Sequence, residues 1–213
     1  MEWNKEALLL YAVTDRSWTG EREILEQVEE AIQGGASCVQ LREKELEEAA
    51  FLDEATAMRK LCDQYHVPFF INDNVDIAIQ CSADGVHVGQ SDMDPGSVRA
   101  LVGEKMILGV SAQTVEQAIA AEKAGADYLG VGAVFPTSTK LDAAEVSLET
   151  LREICAAVSI PVVAIGGINR DNLSQLSGSG IAGVALVSAI FAASDIRGAC
   201  AALRKSAEEA VRS

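Results

Sequence analysis

The sequence predicts a single (β/α)8 barrel over residues 1–213, on three observations. Short apolar runs alternate with helical patterns along the whole chain, as parallel strands covered by helices require. Glycine-bearing turns recur where a helical pattern gives way to an apolar run: Gly34-Gly35-Ala36-Ser37, Ala83-Asp84-Gly85, Gly125-Ala126-Asp127 and Gly178-Ser179-Gly180. Polar and charged residues follow the apolar runs, which places them on the rim where barrel active sites lie. A doubly wound open sheet shares the alternation. However, Asp15-Arg16-Ser17-Trp18 follows the first run, where a dinucleotide-binding fold would carry a glycine-rich turn.

The eight strands are expected at Leu8–Val13, Ser37–Leu41, Pro68–Ile71, Gly85–Val88, Met106–Val110, Tyr128–Val131, Val162–Ile165 and Gly183–Val187. Helices are expected between and after them at Glu21–Gln33, Glu47–Tyr65, Val75–Gln80, Val98–Leu101, Val115–Lys123, Leu148–Val158, Asp171–Leu176 and Ser188–Ala210. The apolar run Ala7–Val13 is too short, and too closely flanked by acids, for a signal peptide or a membrane span.

Composition narrows the function classes. A formal charge of −15 argues against nucleic acid or an anionic membrane as partner, while leaving a local anion site open. Five cysteines, odd in number and without C-x-x-C spacing, read as reduced buried thiols of a cytoplasmic protein.

The chemistry begins at Val39-Gln40-Leu41-Arg42-Glu43-Lys44. Residues two apart share a face of a strand, so Gln40, Arg42 and Lys44 point one way and Val39 and Leu41 the other. One amide and two cations at a strand end suit a polar anionic ligand. A solvated charged turn is the plainer reading. Asp73 and Asp92 follow the third and fourth strands; carboxylates with amide neighbours suit a hard cation such as Mg2+. The rival reading of Asn72-Asp73-Asn74 is a helix cap, with Asp73 or Asn74 accepting from backbone amides. Gly166-Gly167 and the segment ending at Ser188 fall where barrels commonly hold a phosphate. Thr137-Ser138-Thr139-Lys140 offers hydroxyls and a cation, or is simply a polar loop. His87 should face the barrel interior as a satisfied side chain, with its role left open.

Taken together, these motifs resemble the thiamine phosphate synthase family. Those that carry the likeness are Gln40-Leu41-Arg42-Glu43-Lys44, Ile71-Asn72-Asp73, Gly85-Val86-His87-Val88-Gly89-Gln90 with Asp92, Ser111, Thr137-x-Thr139-Lys140, Gly166-Gly167-Ile168 and Val187-Ser188. The likeness runs from about Leu8 to Ser188. It implies a (β/α)8 transferase that joins an aminopyrimidine methyl diphosphate to a thiazole phosphate, which in some settings carries a carboxylate, and releases pyrophosphate. It implies that Gln40, Leu41, Arg42, Glu43, Lys44, Asn72, Ser111 and Lys140 bind the pyrimidine diphosphate, with Arg42, Lys44, Lys140 and Ser111 serving catalysis. Thr137, Ser138, Thr139, Gly167, Val187 and Ser188 would take the thiazole phosphate, and Asp73 and Asp92 would hold Mg2+. Glu43, between the two cations, is expected to point away from the leaving group. The likeness also suggests a homodimer. Two departures stand out: Ala133 where a proline is common, and Gln113 where a histidine is frequent. The alternatives are the sister thiazole tautomerase, which needs a base and no metal, and a non-catalytic phosphate-binding barrel.

Overall fold

In the computed structural model, which describes residues 4–20, 22–137 and 145–212, eight parallel strands close into a barrel in chain order, with β1 paired to both β2 and β8. Closure excludes the open sheet. The strands are β1 Leu10–Val13, β2 Cys38–Leu41, β3 Phe69–Asn72, β4 Gly85–Val88, β5 Ile107–Ala112, β6 Tyr128–Val131, β7 Val162–Ile165 and β8 Gly183–Leu186. The helices are α1 Ile24–Gln33, α2 Glu48–Tyr65, α3 Val75–Gln80, α4 Pro95–Val102, α5 Val115–Lys123, α6 Leu148–Ala157, α7 Ser188–Phe191 and α8 Ile196–Arg212.

The period-two alternation of each strand sorts its side chains into two cores. Leu10, Ala12, Val39, Leu41, Phe69 and Ile71 face outward and pack under the helices. Tyr11, Val13, Cys38, Phe70, Tyr128, Val163 and Ala185 face inward and fill the barrel. Both layers are closed to water: Leu10, Leu41, Phe70 and Tyr128 are 0% exposed.

Besides small shifts at the starts of β1 and α1, three elements depart from the sequence expectation for a visible local reason. The helix expected at Ser188–Ala210 is two helices, because the Asp195 carboxylate accepts from the Gly198 amide and starts a new one. The segment at Asp171–Leu176 contains only a 3-10 turn, Leu173–Leu176. Its asparagine side chains bind local backbone instead: Asn172 Oδ1 accepts from Asn169 N and Asn169 Oδ1 from Asp171 N. α4 starts at Pro95, three residues early, with Asp94 capping the amide of Ser97.

No disulfide joins the five cysteines. Four are buried and Cys155 is half-buried. Burial pushes the Cys62 and Cys200 thiols up to about 12 and that of Cys155 to about 11, so these three are held as inert thiols. Among the described residues, no helix is long and apolar enough to cross a membrane.

Candidate active site

The barrel opens at the C-terminal ends of its strands into a cavity of about 660 Å³. Of the residues singled out in the sequence, Gln40, Arg42, Lys44, Asn72, Asp73, Asp92, Ser111, Thr137, Gly167, Val187 and Ser188 line it. Ser138, Thr139 and Lys140 lie outside the described residues.

The ligand assignments of Leu41 and Glu43 are corrected, while the expectation that Glu43 points away from the leaving group holds. Leu41 is fully buried in the outer core, because the strand turns it away from Gln40. Glu43 leaves the cavity as well: its Oε1 accepts from the amides of Lys44, Glu45 and Leu46, and its Oε2 takes Arg16. Arg16 also grips Glu54 on α2. Glu43 therefore locks the turn after β2 and aims Arg42 and Lys44 without touching a ligand itself. Its side chain is 1% exposed. Burial alone would push its carboxyl up; the Glu45 amide, Arg16 and the Lys44 amide outweigh that and hold it below the usual glutamate range.

The two cations each face a carboxylate. Arg42 Nη1 donates to Asp15 Oδ2, and the Arg42 amide donates to Thr14 Oγ1 at 3.0 Å. Lys44 pairs with Asp73, with the ammonium side chain half exposed. In Asn72-Asp73-Asn74 the helix-cap reading is met by Asn74. Asn74 Oδ1 caps α3 through the Ile77 amide at 2.9 Å, which leaves the Asp73 carboxylate to turn into the mouth. Asp73 adopts a left-handed backbone, φ 62°, with its amide donating to His87 O at 2.8 Å. Asp94 caps α4 in the same way, so Asp92 is released to accept from the Gly89 amide at 2.7 Å.

Asp73 and Asp92 come within hydrogen-bonding reach of one another. Burial raises the Asp73 carboxyl above its ordinary value; Lys44 pulls it down and Asp92 pushes it back up. Two adjacent carboxylates in a partly desolvated corner form an all-oxygen donor set that suits a hard divalent cation completed by water and phosphate. Among the described residues no group of three or more His, Cys, Asp or Glu is placed to hold a metal.

The opposite side of the mouth is built from backbone. Gly166 and Gly167 have φ of +97° and +65°, and a Cβ at Gly167 would fall 2.4 Å from Pro136 O and 2.6 Å from Phe135 O. Only glycine fits there without displacing the strand β6 loop. Asn172 Nδ2 donates to Gly167 O at 2.9 Å and fixes that peptide. Val187 and Ser188 close this side from β8.

Several site residues escaped the sequence reading. Asp15, noted only as the absence of a glycine turn, orients Arg42. Gln90 Nε2 donates to Ser111 O at 2.7 Å and ties the β4 loop to β5. Gln113 and Ala133, singled out as departures, both line the cavity. Tyr11 and Tyr128 hide in apolar runs, yet their hydroxyls meet at 2.9 Å inside the barrel.

Fold and rim define a class: a (β/α)8 barrel whose mouth sets cations and carboxylates against a glycine-built rim. The chain belongs to the thiamine monophosphate synthase family, whose family model matches residues 10–190. It is 49% identical over 191 residues to the thiamine-phosphate synthase of Clostridium tetani, covering 90% of this chain and 91% of that one. It is 53% identical over 188 residues to the thiamine-phosphate synthase of Ruminiclostridium cellulolyticum, covering 88% and 90%. Among solved structures, the thiamine phosphate pyrophosphorylase of Pyrococcus furiosus superposes with a TM-score of 0.88 at 41% identity, over 97% of this chain and 98% of that chain.

Proposed function

We propose that this chain couples an aminopyrimidine methyl diphosphate to a thiazole phosphate, releasing pyrophosphate and forming thiamine phosphate. The observation that carries this reading is the two-sided mouth: charged side chains after β2–β4 face the Gly166-Gly167 backbone after β7 and Val187 and Ser188 after β8. Two phosphorylated substrates call for two such holding sites.

In this reading the carbon–oxygen bond to the diphosphate breaks with its electron pair leaving on oxygen, and the thiazole ring nitrogen supplies the pair for the new carbon–nitrogen bond. Such a dissociative step needs stabilisation of the leaving charge more than it needs a base. Arg42 and Lys44, with Lys140, supply positive charge there. Asp73 and Asp92 would hold Mg2+, which neutralises diphosphate oxygens when bound. The Lys44–Asp73 pair is half exposed on the lysine side and partly buried on the aspartate side, so a bound diphosphate and cation would take over both partners at the mouth. Gly167, Val187 and Ser188, with Thr137, hold the thiazole phosphate in line for attack.

The tautomerase alternative needs a free base at the cavity. His87 instead spends Nδ1 on Tyr128 and Nε2 on Ser111, both at 2.9 Å. A cytoplasmic setting and a homodimer belong to the same reading; the free thiols support the first. The test is direct: incubate the protein with both phosphorylated halves and Mg2+, then assay for thiamine phosphate and pyrophosphate in equal amounts. Absence of both products would remove the reading, and loss of product on adding EDTA would support the metal assignment.

A further inference from the structure

A single file of polar groups runs through the otherwise apolar barrel interior, joining five strands. Gln40 Nε2 on β2 donates to Tyr11 Oη on β1 at 2.8 Å. Tyr11 Oη meets Tyr128 Oη on β6 at 2.9 Å. Tyr128 Oη meets His87 Nδ1 on β4 at 2.9 Å, and His87 Nε2 meets Ser111 Oγ on β5 at 2.9 Å. Tyr11 is 1% and Tyr128 0% exposed. The rings stack around this file: Phe70 and Tyr128 meet edge-on at 5.7 Å, and His87 lies 5.5 Å from Tyr128. Small residues make the room. A Cβ at Gly109 would stand 2.2 Å from the Tyr128 ring, one at Gly85 2.4 Å from Phe70, and one at Gly130 2.9 Å from His87. Three glycines and a histidine are therefore spent on seating a hydrogen-bond chain where aliphatic side chains would pack more simply.

Hydrogen counting gives the chain a direction. A phenol has one hydrogen. Tyr11 receives from Gln40, so its own hydrogen goes to Tyr128. Tyr128 in turn gives its hydrogen to His87 Nδ1. Nδ1 is then an acceptor, which places the imidazole hydrogen on Nε2 and directs it to Ser111 Oγ. The Ser111 hydrogen is left to point into the cavity, and Gln40 presents its carbonyl oxygen. The hydrogens stay on their own atoms throughout; only orientation is transmitted.

We propose that Tyr11, Tyr128 and His87 are positioning residues whose directional hydrogen-bond chain sets Gln40 and Ser111 as a matched pair, acceptor at Gln40 and hydroxyl donor at Ser111. The pair is complementary to a heteroaromatic amine bearing an acceptor beside its amino group, which rests on the aminopyrimidine reading above. Burial pushes the Tyr11 phenol well above its ordinary value, and donation by Gln40 opposes that. Hydrogen bonds in such a file polarise one another, so one break is felt at both ends.

The test uses the full chain labelled with 15N at histidine. The sequence holds only two histidines, His66 and His87, so both ring signals are assignable by a His66→Gln variant. His66 sits outside the barrel at the end of α2 and reports folding. The expected result is His87 with unprotonated Nδ1 and protonated Nε2, and loss of that preference in Tyr128→Phe while the His66 signals stay put. Tyr128→Phe should also raise KM for the pyrimidine diphosphate about fivefold to tenfold, with KM for the thiazole phosphate unchanged. His87 protonated on Nδ1 in the parent protein would overturn the direction; a tautomer indifferent to Tyr128→Phe would overturn the positioning role. The ring measurement needs no substrate, so it stands or falls apart from the coupling assay.

Discussion

On the β2–β4 side of the mouth the polar groups are charged side chains, each held by a second residue: Arg42 by Asp15, Lys44 by Asp73, Asp92 by the Gly89 amide. On the β6–β8 side the corresponding surface is peptide backbone, exposed by Gly166 and Gly167 and fixed by Asn172. The charged side is suited to an anion whose charge changes during reaction, because preorganised charges act most where charge develops. The backbone side is suited to an anion that must only be held still, because amide dipoles grip without moving. On the proposed function, one barrel divides a leaving group from an anchoring group by the material of its rim.

The division can be broken most strongly on the charged side. Asp92→Ala and Lys44→Ala are each expected to lower turnover about 100- to 1000-fold, roughly 2.7–4 kcal/mol of transition-state stabilisation, while unfolding cooperatively near the parent temperature. Near-normal steady-state rates in both would sink the leaving-group assignment. Next comes Gly167→Ala. Its Cβ would press on Pro136 O and Phe135 O at a positive φ, so a stability loss of about 1–3 kcal/mol is expected by thermal melting, with a raised KM for the thiazole phosphate. A raised KM for the pyrimidine diphosphate alone would erase the contrast between the two sides.

The smallest expected effect is at Glu43. Its carboxyl is held below the unfolded value, so its contribution is present above the usual glutamate range and is lost as pH falls through the lower folded value. Glu43→Gln should therefore cost about 1 kcal/mol at pH 7 and make stability below pH 4 less dependent on pH, as read from denaturant melts across pH. An unchanged acid limb would show that the turn is locked by something other than this carboxylate.

These effects differ in how visible they are before a structure is known. The eight strands and the charges that follow them could be read because parallel strands are short apolar runs and rim residues interrupt them with charge. Arg42, Lys44, Asp73 and Asp92 all announced themselves in this way. Glu43 was expected to point away from the leaving group and does, but its partners, Arg16 and three amides, were not legible, because a turn rather than alternation sets them. Asp15 and Asn172 stayed hidden because each acts by holding another site residue, across 27 positions for Asp15–Arg42. Tyr11 and Tyr128 were masked by their apolar neighbours; their hydroxyl contact spans 117 positions and is created by barrel closure alone. The helix broken at Asp195 and the turn at Leu173–Leu176 were misjudged where side chains of Asp and Asn outbid the helix for backbone groups.

The division of the mouth is tested most directly by titration calorimetry of pyrophosphate with Mg2+ into the parent protein, Lys44→Ala and Ser188→Ala. The account predicts equal affinity for the parent and Ser188→Ala, and binding about tenfold or more weaker in Lys44→Ala. Pyrophosphate binding that survives Lys44→Ala and is lost in Ser188→Ala would contradict it.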